Sequence, residues 1–181
     1  NPVLNKIDPY WGSLWAAVEA LSNAVAVGAD YRKLGLIDNF IWPFPDEDSL
    51  GALDMSLDAC VDVSNTFKIP FVSGKDSLSS TYRFASGEVL KIPPVLCVSA
   101  FGPIEDADKT VTADFKEVGS VVVLVGNLDT DGLGVSTYLK GQDFGGRLPK
   151  VDLGNLPKIF EKLHNAIIEG DVRACHDISE G

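Results

Sequence analysis

"FVSGKDSLSST", Phe71 to Thr81, is the stretch on which the reading of the chain turns. It starts with β-forming residues and runs into Ser-Gly-Lys-Asp-Ser, a small, charged turn of the kind that holds phosphates. With the residues before it the strand reads KIPFVSG. Working back from there, residues 48–67 have helical spacing, with Leu50, Leu53, Leu57, Cys60, Val61 and Ser64 along one side and Ser49 or Asp48 as N-cap. A Pro-broken loop, WPFPDED, separates that helix from a short strand in LGLIDNF. Further upstream, residues 12–27 place Leu14, Val18, Leu21 and Val25 on one helical face, and Gly28 stands where a C-cap belongs. Downstream of the turn, PPVLCVSAFG reads as a buried strand. Strands alternating with helices of this length predict an α/β fold.

A second unit follows. After the polar run EDADKTVTADFKEV comes GSVVVLVGN, a strongly apolar predicted strand, then a Gly-rich turn and a helix over 156–169 that ends at Gly170. The boundary is placed near Val118, dividing the chain into domains 1–117 and 118–181. The opening NPVLNKIDPYWG and the closing CHDISEG both read as cut ends, so a fragment is expected.

The net charge of −11, without clustered Lys or Arg, excludes a nucleic-acid surface. An anion such as ATP must therefore be held locally, by backbone N–H groups, single cations or Mg²⁺. No window approaches the ~18 consecutive apolar residues of a membrane helix. Three widely spaced cysteines, Cys60, Cys97 and Cys175, read as reduced, buried thiols and point to the cytoplasm.

Tested against known phosphate loops, 71–81 fails as a P-loop, because Ile69 stands where the first Gly belongs and Asp76 follows the Lys. The PP-loop of adenylating enzymes, S-G-G-x-D-S, needs two glycines where this chain has one. It remains an alternative, beside a plain polar turn. NLDTDGLGVSTY imitates a calcium loop at Asn127, Asp129, Asp131 and Gly132, but its twelfth position is Tyr138 and a predicted strand precedes it, so a solvated loop is expected. Glu19 and Asn23, four apart on the first helix, project from one face and suit a hard cation such as Mg²⁺, though such pairs are also the wet side of many helices. HDISEG adds an oxygen in Asp177 and a phosphate donor in Ser179. His176 reads as structural, and His164, on the polar side of its helix, is given no role.

Taken in order, DPYWGSLWAAVEALSNAVAVGA, LIDNFIWP, IPFVSGKDSLSSTY, PPVLCVSAFG, DGLGVSTYL and ACHDISEG resemble the phosphoribosylformylglycinamidine synthase family over nearly the whole chain. SGKDSLS and HDISEG are specific to that family and its aminoimidazole ribonucleotide synthetase-like relatives. The resemblance implies most of an N-type domain of the second half, with a mixed sheet flanked by helices and its N-terminal strand missing, then the beginning of a C-type domain. It implies ATP-dependent conversion of formylglycinamide ribonucleotide and glutamine-derived ammonia to the amidine through an iminophosphate. The implied partners are the first half of the same polypeptide and a glutaminase domain or subunit.

Carried over by position, the resemblance assigns nucleotide contacts to Asp38 and Gly74 and a substrate contact to Ser77. Lys75 departs from the small bacterial form, which has a Mg²⁺-binding Asn there, and matches the large single-chain form; direct phosphate pairing is implied instead. Glu19, Asn23 and Asp177 match Mg²⁺ ligands of a second, non-hydrolysing nucleotide site, which Ser179 also touches. No catalytic residue falls in this chain, so the fragment alone is expected to be inactive, and its exposed pseudo-dimer face to self-associate. A structural nucleotide-binding module without turnover is the other alternative.

Overall fold

The computed structural model describes residues 2–127, 129, 131–139 and 147–179. A short helix α1, Pro2–Ile7, leads into α2, Pro9–Ala26. Asp8 caps α2 by accepting from the Trp11 backbone N–H at 3.0 Å, and Pro9 occupies the first turn, where its missing N–H costs nothing. The helix therefore starts earlier than its apolar stripe indicates. Leu14, Leu21 and Val25 are fully buried and Val18 nearly so, as the spacing predicts. Gly28 takes a φ of 107° just beyond the helix, a conformation that favours glycine.

β1, Gly35–Ile41, is the middle of a three-stranded sheet. It pairs in parallel with β2, Phe71–Ser77, and antiparallel with β5, Val95–Phe101, giving the mixed sheet expected. Between β1 and β2 lies α3, Glu47–Phe67, whose N-cap is Asp46 rather than Ser49 or Asp48. Ser49 is instead the third residue of a capping box: its N–H donates to Asp46 Oδ1 at 3.0 Å while its hydroxyl accepts from the Asp46 N–H at 2.8 Å.

The helices cover one face of the sheet. Leu36, Phe40 and Leu96 point into them and are buried with Trp42, whose indole N–H donates to the Ser49 carbonyl at 2.8 Å. Ile37, Asn39 and Ile41 alternate to the opposite, open face, together with Cys97, Ser99 and Phe101 of β5. A small hairpin, β3 (Thr81–Arg83) and β4 (Val89–Lys91), projects beyond β2. The last helix, α4, Leu156–Glu169, ends at Gly170 as the sequence predicts and packs into the same core as α2 and α3. There Phe160 stacks on Phe67 with ring centres 5.5 Å apart.

Several sequence expectations are corrected. SGKDS is not a turn: it continues β2, because Gly74 to Ser77 pair residue by residue with Asp38 to Ile41. Residues 120–125 form no strand, since no neighbouring backbone among the described residues completes a ladder with them, and Val121, Val122 and Val123 are 85%, 77% and 70% exposed. His176 and Asp177 lie on irregular chain. Cys97 is exposed, because β5 turns it to the open face, whereas Cys60 is buried. No helix among the described residues is long and apolar enough to cross a membrane.

Candidate functional site

Much of the apolar stripe of α3 stays out of the core, and only Cys60 of it is buried, beside Phe40, Trp42 and Leu96. Leu50, Leu57 and Val61 remain 49%, 45% and 54% exposed, while small residues such as Ser56 and Ala59 seat the helix on α2. Ser56 can be buried there because its hydroxyl donates to the Ala52 carbonyl at 2.8 Å. What the stripe does instead is wall a cavity of about 490 Å³ against β1 and β2. Leu53, Leu57, Cys60 and Val61 form the helical wall, and Phe40 and Phe71 the sheet side. The polar groups at its rim include two carboxylates, Asp38 and Asp76.

Asp38 and Gly74 are neighbours in register on this face. The carboxylate stands so close over Gly74 that a methyl group built there would collide with both of its oxygens. Burial raises the pKa of Asp38 above the ordinary carboxylate value, and the charge of Asp76 raises it further against the opposing effect of a backbone hydrogen bond. Burial, with the Asp38 charge added, also pushes the Cys60 thiol up to about 12. A pocket of this composition accepts a flat, apolar body that carries hydrogen-bond donors, and repels a bare phosphate.

Lys75 and Ser77 lie on the same strand as Gly74 but alternate to the other face. The Lys75 ammonium donates to the Ser77 hydroxyl oxygen, so cation and hydroxyl form one small cluster beside Asn39. Asp38, Gly74, Lys75 and Ser77 are therefore brought together where β1 meets β2, two on each face. A ligand reaching all of them must pass around the edge strand β2. Asn39 had no signal in the sequence beyond its place beside Asp38; Asp76 stood within the quoted motif, but its face was visible only once β2 was a strand.

The second group is less concentrated. Glu19 is half-buried and Asn23 exposed on α2. The closing segment approaches the end of that helix through two backbone bonds, Val111 N–H to Val27 O at 3.4 Å and Cys175 N–H to Thr112 O at 3.3 Å. The Asp177 side chain is only 6% exposed, and its Oδ1 lies 3.2 Å from His176 Nδ1. Ser179 is exposed, and Glu180 and Gly181 of the HDISEG motif lie outside the described residues. No hydrogen bond or ion pair joins Glu19 or Asn23 to Asp177 among the described residues. The calcium-like loop is occupied otherwise, since Asp129 accepts two bonds from Arg147 Nη2 at 2.7 and 3.0 Å. His164, given no role by the sequence, ties α4 to the end of α2: its Nδ1 lies 3.0 Å from the Gly28 carbonyl oxygen and so carries the proton.

Residues 117–181 match the family described as AIR synthase related protein, C-terminal domain. The phosphoribosylformylglycinamidine synthase subunit PurL of Caldanaerobacter subterraneus subsp. tengcongensis is 35% identical over 179 residues, covering 97% of this chain and 23% of the relative. That of Thermus thermophilus is 30% identical over 185 residues, covering 100% of this chain and 24% of the relative. The chain thus spans about a quarter of the length of these curated relatives. Among solved structures, PurLQS from Thermotoga maritima aligns over 60% of this chain and 17% of its own, at a TM-score of 0.50 and 29% identity. T. maritima PurL complexed with AMPPCP aligns over 93% of this chain and 24% of its own, at a TM-score of 0.56 and 17% identity, which bears on the fold alone. With PurL sequences matching it nearly end to end and its C-terminal third matching the AIR synthase-related domain, the chain belongs to the phosphoribosylformylglycinamidine synthase family and corresponds to a part of the PurL subunit.

Proposed function

We propose that this chain supplies nucleotide and substrate contacts to an ATP-dependent C–N ligase of purine biosynthesis. In the reaction the amide oxygen of formylglycinamide ribonucleotide attacks the γ-phosphorus of ATP, the bond to ADP breaks, and an iminophosphate forms. Ammonia then adds to the activated carbon, and the C–O bond breaks to release phosphate and the amidine. The observation that carries this reading is the division of β2, with Asp38 and Gly74 at the mouth of an apolar cavity and Lys75 and Ser77 on the reverse face.

In this reading the cavity takes the base of the nucleotide, Asp38 accepting its N–H donors, and Gly74 leaves room for the close approach. Lys75 balances phosphoryl charge and Ser77 holds the substrate, which is electrostatic and positioning work rather than proton transfer. Glu19, Asn23 and Asp177 offer an all-oxygen set of the kind Mg²⁺ accepts, and Lys75, a donor only, does not join it. When bound, the ion neutralises nucleotide phosphate charge. The glutaminase, the first half of the polypeptide and a cytoplasmic location belong to the same proposal, as does the inactivity of this chain by itself.

The test is phosphorus NMR of the full-length protein with ATP, Mg²⁺, ammonia and formylglycinamide ribonucleotide. ADP and phosphate forming only when both co-substrates are present is the expected result. AMP with pyrophosphate would transfer the chain to the adenylating enzymes, and retained ADP without turnover would leave a structural nucleotide site.

A further inference from the structure

We propose that Asn39 is a substrate-binding residue of the open face, acting beside Lys75 and Ser77; this deepens the function proposed above and rests on it. Asn39 lies next to the midpoint of the central strand, in register with Lys75 of β2 on one side and Cys97 of β5 on the other. Its Oδ1 is buried and has no hydrogen-bond partner among the described residues. An orphaned carbonyl oxygen at such a place is unusual, because buried polar atoms are nearly always paired and those left over concentrate where function requires them. Its flanking positions on the same face of β1 are Ile37 and Ile41, so the oxygen is the sole polar interruption of that stripe.

The chemistry of the row defines the ligand. Lys75 presents N–H donors and positive charge, Ser77 a hydroxyl, and Asn39 an acceptor one strand spacing away, roughly 4.8 Å. This suits a small molecule that carries an anionic or strongly polarised oxygen and an N–H group within that distance. An amide about to be phosphorylated is such a molecule: its oxygen, and the phosphoryl group it receives, face Lys75, while its N–H donates to Asn39 Oδ1. Asn39 thereby fixes which edge of the amide faces the phosphoryl donor. The cavity on the helical face has no part in this contact, so nucleotide affinity is independent of it.

The experiment uses the full-length protein with Asn39→Leu, an apolar replacement of similar size, and Asn39→Asp, which keeps acceptor oxygens. Formylglycinamide ribonucleotide binding is measured by titration calorimetry, KM by steady-state kinetics for both substrates, and Tm by calorimetry. Loss of the contact weakens binding and raises KM for formylglycinamide ribonucleotide about tenfold in the Leu variant, the factor expected for one net hydrogen bond. KM for ATP stays within about twofold, and the Leu variant melts no lower than wild type because an unpaired buried polar atom has been removed. The Asp variant recovers most of the affinity. If the Leu variant fails to fold, Asn39→Ser, which adds no bulk, must show the same selective loss. Unchanged KM in a folded variant overturns the proposal, as does an equal loss for both substrates accompanied by a lower Tm, which marks a purely structural residue. A wild type that neither binds nor converts the ribonucleotide overturns the functional reading and this inference together; a competent wild type matched by its Leu variant overturns the inference alone.

Discussion

The carboxylate of Asp38 occupies the space that any side chain at Gly74 would need. Gly74→Ala is therefore expected to force β2 away from β1 or to rotate Asp38, at a cost of about 1–3 kcal/mol, typical of overpacking. In an Asp38→Ala background the same change costs less than about 1 kcal/mol, because the colliding atoms are gone. Chemical denaturation of wild type, the two single variants and the double variant measures the coupling. Additive costs would show that the obstacle lies elsewhere.

Asp38 also makes stability depend on pH. Its folded-state value is raised, by burial first and by Asp76 second, so the folded protein holds this proton more tightly than the unfolded chain. Its contribution is therefore fully present below the unfolded value of about 3.9 and is lost as pH rises through the raised folded value. Asp38→Asn removes the penalty: relative to wild type it gains in Tm between pH 4 and 7 while weakening ATP binding about tenfold, roughly one hydrogen bond's worth. A variant whose Tm difference is the same at pH 3 and pH 7 would refute the linkage.

The cysteines differ in reactivity. With its thiol held up at about 12 and its surface nearly closed, Cys60 resists Ellman's reagent at pH 8 until the protein unfolds, while exposed Cys97 reacts at once. Cys97→Ser should abolish the fast phase and leave the rest of the progress curve unchanged.

The segment Val121–Val125 is an association hazard. All five residues are more than half exposed and their backbones lie outside any ladder among the described residues. Val123→Lys is expected to suppress concentration-dependent light scattering without lowering Tm. Unaltered scattering would move the sticky surface to the open face of the sheet.

Those features whose cause lies in one segment were legible in the sequence. The stripe of α2, the stop of α4 at Gly170 and the strand character of LGLIDNF each follow from a short pattern. Features that depend on a second segment were not. SGKDS looks like a turn until Asp38 to Ile41 are laid beside it, and Leu50, Leu57 and Val61 of α3 look like core until Ser56, Ala59 and Val63 are seen to face it instead. GSVVVLVGN fails for the same reason in reverse, a strand composition without a neighbour. The site was read as a set of residues, and the pairing across β1 and β2 supplied its division into faces.

The seating of α4 bears on how the molecule comes apart. Phe160 packs against both Phe67 and Tyr31, which also touch each other, Arg32 reaches Glu161 at 3.0 Å, and the Trp15 indole N–H donates to the Pro149 carbonyl at 2.8 Å. A division near residue 118 marks a change in sequence pattern, yet these contacts run across it. Heat should then melt the helices on both sides in a single calorimetric peak, and a chain stopped at residue 117 would leave the aromatic pair Tyr31 and Phe67 without their cover. In that sense the join acts as a clasp: loosening the later helix loosens the floor on which the sheet rests.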